Sequence, residues 1–227
     1  MSSARRWWLL LLVLGVLVPG GCGRPAEAMP TPSQGIPLPA PRLEGGMSLN
    51  EALALRRSVR SYTDRLLTWE EISQLLWAAQ GVTAPSGFRT APSAGALYPL
   101  EVYLALPEGW YHYLPQGHRL ERLGQEDLRE ALRVAGLGQG ALGDAPAVFV
   151  IAAVVARTEG KYGERAERYV HLEAGHAAQN LLLQATALGL GAVSIGAFHD
   201  DRVREALRLP ASHTPLYLIP VGEPRLP

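Results

Sequence analysis

The chain has one cysteine, Cys22, in 227 residues. A disulfide framework and a cysteine-rich metal site are therefore excluded within a single chain. Any redox chemistry must be carried by a bound organic cofactor. An excess of one charge is also missing: 21 basic and 21 acidic side chains give a formal net charge of +0. That balance leaves no electrostatic footprint for nucleic acid. The apolar run from Trp7 to Val18 is too short for a comfortable membrane span. Several site motifs are absent. There is no Gly-Lys-Ser/Thr phosphate loop and no nucleophile elbow. Gly189-Leu190-Gly191 lacks the later glycine of a dinucleotide fingerprint and follows a helical pattern, not a strand. Glu173 and His176 have the i, i+3 spacing of di-iron helices, but no second such motif exists, and His171 and His176 fall on different helix faces. No metal site is expected.

What is present fits one domain with a substantial core, since 48% of residues are hydrophobic. Residues 1–22 read as an export signal: Arg5-Arg6, the apolar run, then Pro19-Gly20-Gly21-Cys22. Cys22 after Gly21 resembles a lipoprotein cleavage site, with an uncleaved N-terminal anchor as the alternative. Arg5-Arg6 also resembles a twin-arginine signal. The expected location is the cell envelope, with membrane contact only through this segment. Residues 23–46 are rich in Pro, Gly and Ala without periodicity and read as a tether. The fold is expected over residues 47–227.

Within that span, Ser48-Leu49-Asn50-Glu51 and Thr68-Trp69-Glu70-Glu71 are capping boxes that open two helices. Residues 81–99 have loop chemistry and a length unusual for a simple connection. Glu101–Leu106, Trp110–Leu114 and His118–Arg122 read as consecutive strands. A short helix follows over 125–135, and Gly136–Gly143 reads as a flexible link. Ala147–Ala156 reads as a central strand buried on both faces. From Leu172 to Leu188 the chain is almost all apolar or small, the mark of a buried helix, and Gly189 suits its left-handed cap. A buried strand at Ala192–Ile195, a short helix to Leu207 and a strand at Leu216–Val221 complete an α+β pattern.

Two clusters carry chemistry. Arg56, Ser58 and Arg60 alternate, so an extended segment points them the same way. Two guanidinium forks and a hydroxyl converging on one place suit a phosphate, and a solvated basic patch is the bland alternative. Lys161-Tyr162 offers two groups able to act as acid or base once their surroundings tune them, against the alternative of an exposed loop lysine.

Four segments in order resemble the nitroreductase superfamily of FMN enzymes, and within it the SagB-type, or azoline (thiazole and oxazole), dehydrogenases. They are RRSVRSY at 56–62, APSAGALYPLEVY at 91–103, the stretch from Lys161 to Phe198, and PLYLIPVGEP at 215–224. The resemblance implies a nitroreductase-like α+β homodimer: a central, mostly antiparallel sheet flanked by helices, with FMN at the subunit interface. It assigns Arg56, Arg57, Ser58 and Arg60 to the flavin phosphate and ribityl chain. Pro92, Ser93, Ala94, Gly95 and Leu97 approach the FMN of the partner subunit. Gly191, Ser194, Ile195 and Gly196 bring backbone to the isoalloxazine, and Arg225 matches a C-terminal phosphate contact. Lys161 and Tyr162 match the catalytic pair, one of which takes a proton from ring carbon while hydride passes to flavin. The implied substrate is an azoline-like or other small organic molecule, or a peptide. An NAD(P)H-dependent nitroreductase or quinone reductase, and a non-enzymatic ligand-binding envelope lipoprotein, are the alternatives.

Overall fold

The computed structural model describes residues 35–225. Its strands are β1 (Ile36–Pro37), β2 (Leu100–Leu106), β3 (Gly109–Leu114), β4 (Arg119–Gly124), β5 (Ala147–Ala153), β6 (Gly191–Ala192) and β7 (Thr214–Gly222). They form one sheet in the order β1-β4-β3-β2-β5-β7-β6, every neighbouring pair antiparallel. The α-helices are α1 (Leu49–Leu55), α2 (Trp69–Gln80), α3 (Arg129–Ala135), α4 (Gly140–Asp144), α5 (Ala156–Tyr162), α6 (Ala166–Ala187) and α7 (Asp200–Ala206). The expected α+β fold is therefore present, with its antiparallel sheet between helices.

Strand β5 shows why the sheet sits at the centre. All seven of its residues are buried. Ala147, Phe149, Ile151 and Ala153 face a core shared with Leu75 and Leu76 of α2 and with Ala174, Ala177 and Leu181 of α6. Val148, Val150 and Ala152 face a second core built with Leu132 of α3 and Val203 of α7. Period-two alternation thus serves two apolar faces at once, as a strand covered on both sides requires.

Both capping boxes form. The Ser48 hydroxyl accepts from Glu51 N and the Thr68 hydroxyl from Glu71 N, and each Glu returns the bond to the cap backbone. Gly189 takes the left-handed conformation (φ 73°) at the end of α6.

Several expectations need correction. The N-terminal boundary is too late, because β1 pairs with β4 through Ile36 opposite Leu120 and Pro37 opposite Arg119. Leu38 enters the core. Ser73 Oγ donates to Pro39 O (2.5 Å), and Arg42 N donates to Gln74 Oε1 (2.8 Å). The prolines conceal this strand, and an edge strand tolerates them because one side of its backbone needs no partner. Strand β5 stops at Ala153, and α5 follows where a continuing strand was expected. The Gly-rich link contains α4. The expected strand over 192–195 is only the two-residue β6 plus a bridge from Ile195 to Leu218. Helix α6 is not buried all round: Leu172 is 53% exposed, and the Cβ direction of Gly175 opens on empty space. The export signal and Cys22 lie outside the described residues.

Residues 36–42 are thus a stabilising part of the fold. Leu38→Ala should lower the unfolding free energy by about 2 kcal/mol in urea titration, the usual range for truncating a buried leucine. An unchanged midpoint would mean the segment is the tether its composition suggested.

Candidate active site

The arginine cluster is placed by the end of α1. Arg56 leaves helical geometry (φ −53°, ψ 123°), and the chain runs on extended. Val59 N donates to Ala192 O (3.1 Å), and Ser58 forms a parallel bridge with Ala192. This approach requires glycine at 191, since a Cβ there would stand 2.6 Å from the Val59 Cβ. Buried Tyr62 clamps the segment from below, its hydroxyl within hydrogen-bond reach of Val59 O (2.6 Å) and Pro220 O (3.2 Å). The extended backbone puts Arg56, Ser58 and Arg60 in alternation, with Ser58 and Arg60 exposed and Arg56 half-buried. Among the described residues neither Arg56 nor Arg60 has a carboxylate partner. Arg57 falls out of this row: its guanidinium turns back to donate to Ala54 O (3.0 Å) and Arg56 O (2.7 Å). Arg225, from the C-terminal end, is tied to the backbone that follows this row. Its N donates to Ser61 O and its Nε to Tyr62 O, both at 3.0 Å, and its guanidinium faces Asp64 at 3.7 Å.

The turn after α6 follows directly. Gly191 and Ala192 pair with Gly222 and Val221 of β7. Ile195 was expected to offer backbone to a flavin ring. Instead its N–H and C=O both bond Leu218 (2.9 and 3.0 Å), and its side chain is in the core. Ile195 anchors the turn, and Ser194 and Gly196 are the exposed positions beside it.

A second cluster forms around the Pro92–Tyr98 loop. Gly95, Ala96 and Tyr98 all have positive φ (64°, 54° and 47°). Such backbone persists only when its surroundings hold it. Ser93 Oγ accepts from Tyr98 N (2.9 Å), the Arg157 guanidinium donates to Tyr98 O (3.1 Å), and Arg89 N donates to the Tyr98 hydroxyl (3.2 Å). Pro92 is exposed and Leu97 half-buried on this loop. Lys161 and Tyr162 close α5 directly over it. A Cβ at Gly95 would lie 2.9 Å from Lys161 Nζ and 3.0 Å from the Tyr162 hydroxyl. Lys161 is exposed and Tyr162 half-buried, and the pair ends a helix where a loop was the alternative reading. Arg157, one turn earlier, ties that helix to Glu101. Burial alone would raise the Glu101 carboxyl, but its hydrogen bonds to His112 and Arg157 prevail and hold it below the usual carboxylate range. Tyr162 also meets Tyr169 of α6 edge-on at 5.0 Å.

By spacing alone, Glu173 is half of a metal motif that lacks its partner. In the fold it is 3% exposed, and burial pushes its carboxyl up to about 7, against the lowering effects of the Ser93 hydroxyl and Arg89. The available signal was its position, a lone acid inside an apolar helix. No grouping of His, Cys, Asp and Glu suits a metal ion among the described residues.

Sheet register separates the two clusters. Ser58 bridges Ala192, Ala192 pairs with Val221, and Val221 pairs with Ala147. At the other end of β5, Ala153 pairs with Leu100, and Val154 N donates to Pro99 O. The six-residue rise from Ala147 to Ala153 corresponds to about 20 Å. The arginine row and the Lys161–Gly95 cluster therefore occupy opposite ends of the central strands in one chain.

Comparison with known proteins supports the class of flavin-dependent oxidoreductases. The chain belongs to the nitroreductase family, whose family model matches residues 53–223. A protein of Methanocaldococcus jannaschii named as a nitroreductase is 47% identical over 182 residues, 78% of this chain and 91% of its own. A crystal structure of a protein from Ralstonia eutropha, also named as a nitroreductase, superposes with a TM-score of 0.78 at 34% identity, covering 85% of this chain and 90% of that one. More distant are the microcin B17-processing protein McbC of Escherichia coli (30% identical; 63% of this chain, 57% of its own) and an FMN reductase (NADPH) of Bacillus subtilis (28%; 77% and 65%).

The Gly191–Val59 contact yields a test of this geometry. Gly191→Ala should destabilise the protein by about 1–3 kcal/mol through overpacking. It should also weaken flavin binding more than Gly175→Ala, whose Cβ has open space. Equal behaviour of the two variants in thermal melts and flavin titration would contradict it.

Proposed function

We propose that this protein is an FMN-dependent dehydrogenase of the SagB type, acting on an azoline-like ring in a small molecule or peptide. The observation that carries this reading is the convergence of Lys161 Nζ and the Tyr162 hydroxyl over Gly95, in a chain of the nitroreductase family. The residues present fit FMN. Arg56 and Arg60 have no acidic partner among the described residues and match the charge of a phosphate, with Ser58 between them. Arg225 lies alongside, and Ser194 and Gly196 are open to a ring, since a Cβ at Gly196 would meet only Tyr217 at 4.0 Å. Arg57 contributes charge from behind the row. Bound FMN supplies the two-electron acceptor. Lys161 or Tyr162 then takes the proton from the substrate ring carbon, help typically worth ~10²–10⁴-fold. The loop that carries Gly95 is pinned through Ser93, Arg157 and Arg89 directly beneath both groups.

The strand-length separation of the two clusters supports a homodimer. A two-fold axis brings the Ser93–Leu97 loop and Lys161 of one copy to the arginine row of the other, where one chain alone keeps them about 20 Å apart. The exposed Leu49, Leu53 and Leu55 of α1 and Leu172 of α6 supply apolar surface for it. The N-terminal segment then sends the enzyme to the cell envelope, anchored through lipidated Cys22 or an uncleaved signal.

A second reading, an NADPH-driven reductase, is favoured by the similarity to an FMN reductase (NADPH). Two measurements separate them. Lys161→Ala should keep its FMN, by absorption spectrum, and lose ~10²–10⁴-fold in flavin reduction by a thiazoline-containing peptide. Anaerobic NADPH should bleach the wild-type flavin slowly. Rapid bleaching by NADPH, with the Lys161→Ala variant unimpaired, supports the reductase instead.

A further inference from the structure

The helix that carries Lys161 and Tyr162 is lightly held. Helix α5 has no side-chain cap at its N-terminus, and Thr158 is its one buried residue. The Thr158 hydroxyl has no hydrogen-bond partner among the described residues. Gly160 weakens the helix from within, as a residue of poor helical propensity. At the far end Gly163 adopts φ 53° and ψ −134°, a conformation that suits glycine. Burial therefore gives α5 little hold on the rest of the domain. Its side-chain ties run instead through Tyr162, which meets Tyr169 edge-on, and through Arg157.

Arg157 and Lys161 stand four positions apart and so share one face of α5. The Pro92–Tyr98 loop runs beneath that face. Arg157 Nη1 donates to Tyr98 O (3.1 Å), and three residues back a Cβ at Gly95 would meet Lys161 Nζ at 2.9 Å. Arg157 Nη2 donates to Glu101 Oε1. Glu101 stands on β2 within the sheet, its side chain 12% exposed, and its other oxygen pairs with His112 Nε2 at 2.7 Å. The His112 ring stacks on Tyr103 at 4.7 Å, and the Tyr103 hydroxyl lies 2.7 Å from His213 Nδ1. Both Glu101 oxygens are thus engaged, one toward the sheet and one toward α5. A guanidinium presents its donors in a rigid planar fork, so this one side chain sets loop, helix and sheet relative to one another. Tyr98 needs such a hold, since its φ of 47° is reached without the freedom of glycine.

We propose that Arg157 is a positioning residue for Lys161: it joins the Tyr98 carbonyl of the active-site loop to Glu101 of the central sheet, and so fixes where the Lys161 amine stands over Gly95. This role rests on the reading under Proposed function, in which Lys161 works on the substrate, and adds the residue that aims it. Glu101 is the fixed end of the joint, and His112 holds it there. A shift of about 1 Å in a reacting group can cost ~10²-fold in rate, which is the scale on which a loosened α5 would act. The effect of Arg157 passes through Lys161, and this separates it from a residue that only stabilises the fold.

The test measures flavin reduction by a thiazoline-containing peptide in FMN-loaded protein. Arg157→Met keeps the apolar stem and removes both bonds. It should lower kcat by about 10–100-fold and leave KM and the FMN spectrum within about twofold of the wild type. Arg157→Lys keeps the charge without the fork and should recover little of the loss. Glu101→Gln weakens the other end of the joint, so adding it to Arg157→Met should cost almost nothing more. In a Lys161→Ala background, Arg157→Met should cost less than about twofold. Arg133→Met, which breaks the exposed pair of Arg133 with Glu130 on α3, should change none of these values. A second readout is independent of activity. Lys161 is the only lysine of the chain, so isotopically labelled lysine gives one backbone amide signal, from α5. Hydrogen exchange at that amide should be at least about tenfold faster in Arg157→Met. The proposal is overturned if Arg157→Met turns over at the wild-type rate, if it costs the same factor with and without Lys161, if Arg157→Lys restores full activity, or if exchange at Lys161 is unchanged. No turnover by the wild type, or full turnover by Lys161→Ala, contradicts instead the reading under Proposed function. The exchange measurement then still decides whether Arg157 holds the helix.

Discussion

One backbone contact organises the rest of this molecule: the docking of the Arg56–Arg60 segment against Gly191-Ala192, sealed by Val59 N donating to Ala192 O. It exists because position 191 has no side chain to fill the space that Val59 takes. From it follows the extended backbone that turns alternate residues outward, and with that the pairing of Arg56 with Arg60 around Ser58. A helix continuing past Leu55 would have scattered these three groups around its circumference. The same contact fixes where the turn at 193–196 begins, and Ile195 and Tyr62 lock it to β7 from either side. A hydrogen bond of this kind contributes only about 1 kcal/mol net. Its importance is geometric, since it sets where three charged or polar side chains can meet.

The second constraint is the length of the sheet. Strand β5 carries the arginine row near one end and the Lys161 helix at the other, and its burial on both faces leaves no freedom to shorten that distance. The proposed homodimer is the arrangement that would join both ends. The exposed leucines of α1 and α6 are the surface it would use, and the all-apolar appearance of α6 overstates its burial within one chain.

Much of this was legible in the residues. The capping boxes, the strand pattern and the alternation of Arg56, Ser58 and Arg60 are local signals, and local chemistry decided them. What was missed depends on partners distant in sequence. Ile36–Pro37 reads as tether because its strand character lies in β4, more than eighty positions away. Ile195 looked available to a ligand because nothing near it in sequence announces Leu218 as its partner. For Lys161-Tyr162 an exposed loop stayed open as the alternative, because the tie from Arg157 to Glu101 that anchors its helix spans 56 positions. Glu173 lacks a metal motif, and burial that no neighbour in sequence announces pushes its carboxyl up.

The central claim is that the arginine row grips a phosphate. The most direct measurement is the affinity of the flavin-free protein for FMN beside its affinity for riboflavin, which has the same ring and ribityl chain but no phosphate. Two charge-assisted hydrogen bonds at about 1.5–3 kcal/mol each predict that FMN binds at least ~100-fold more tightly. They also predict that most of this preference disappears when Arg56 and Arg60 are both replaced by Ala. Equal affinity for the two flavins would contradict the account at its root.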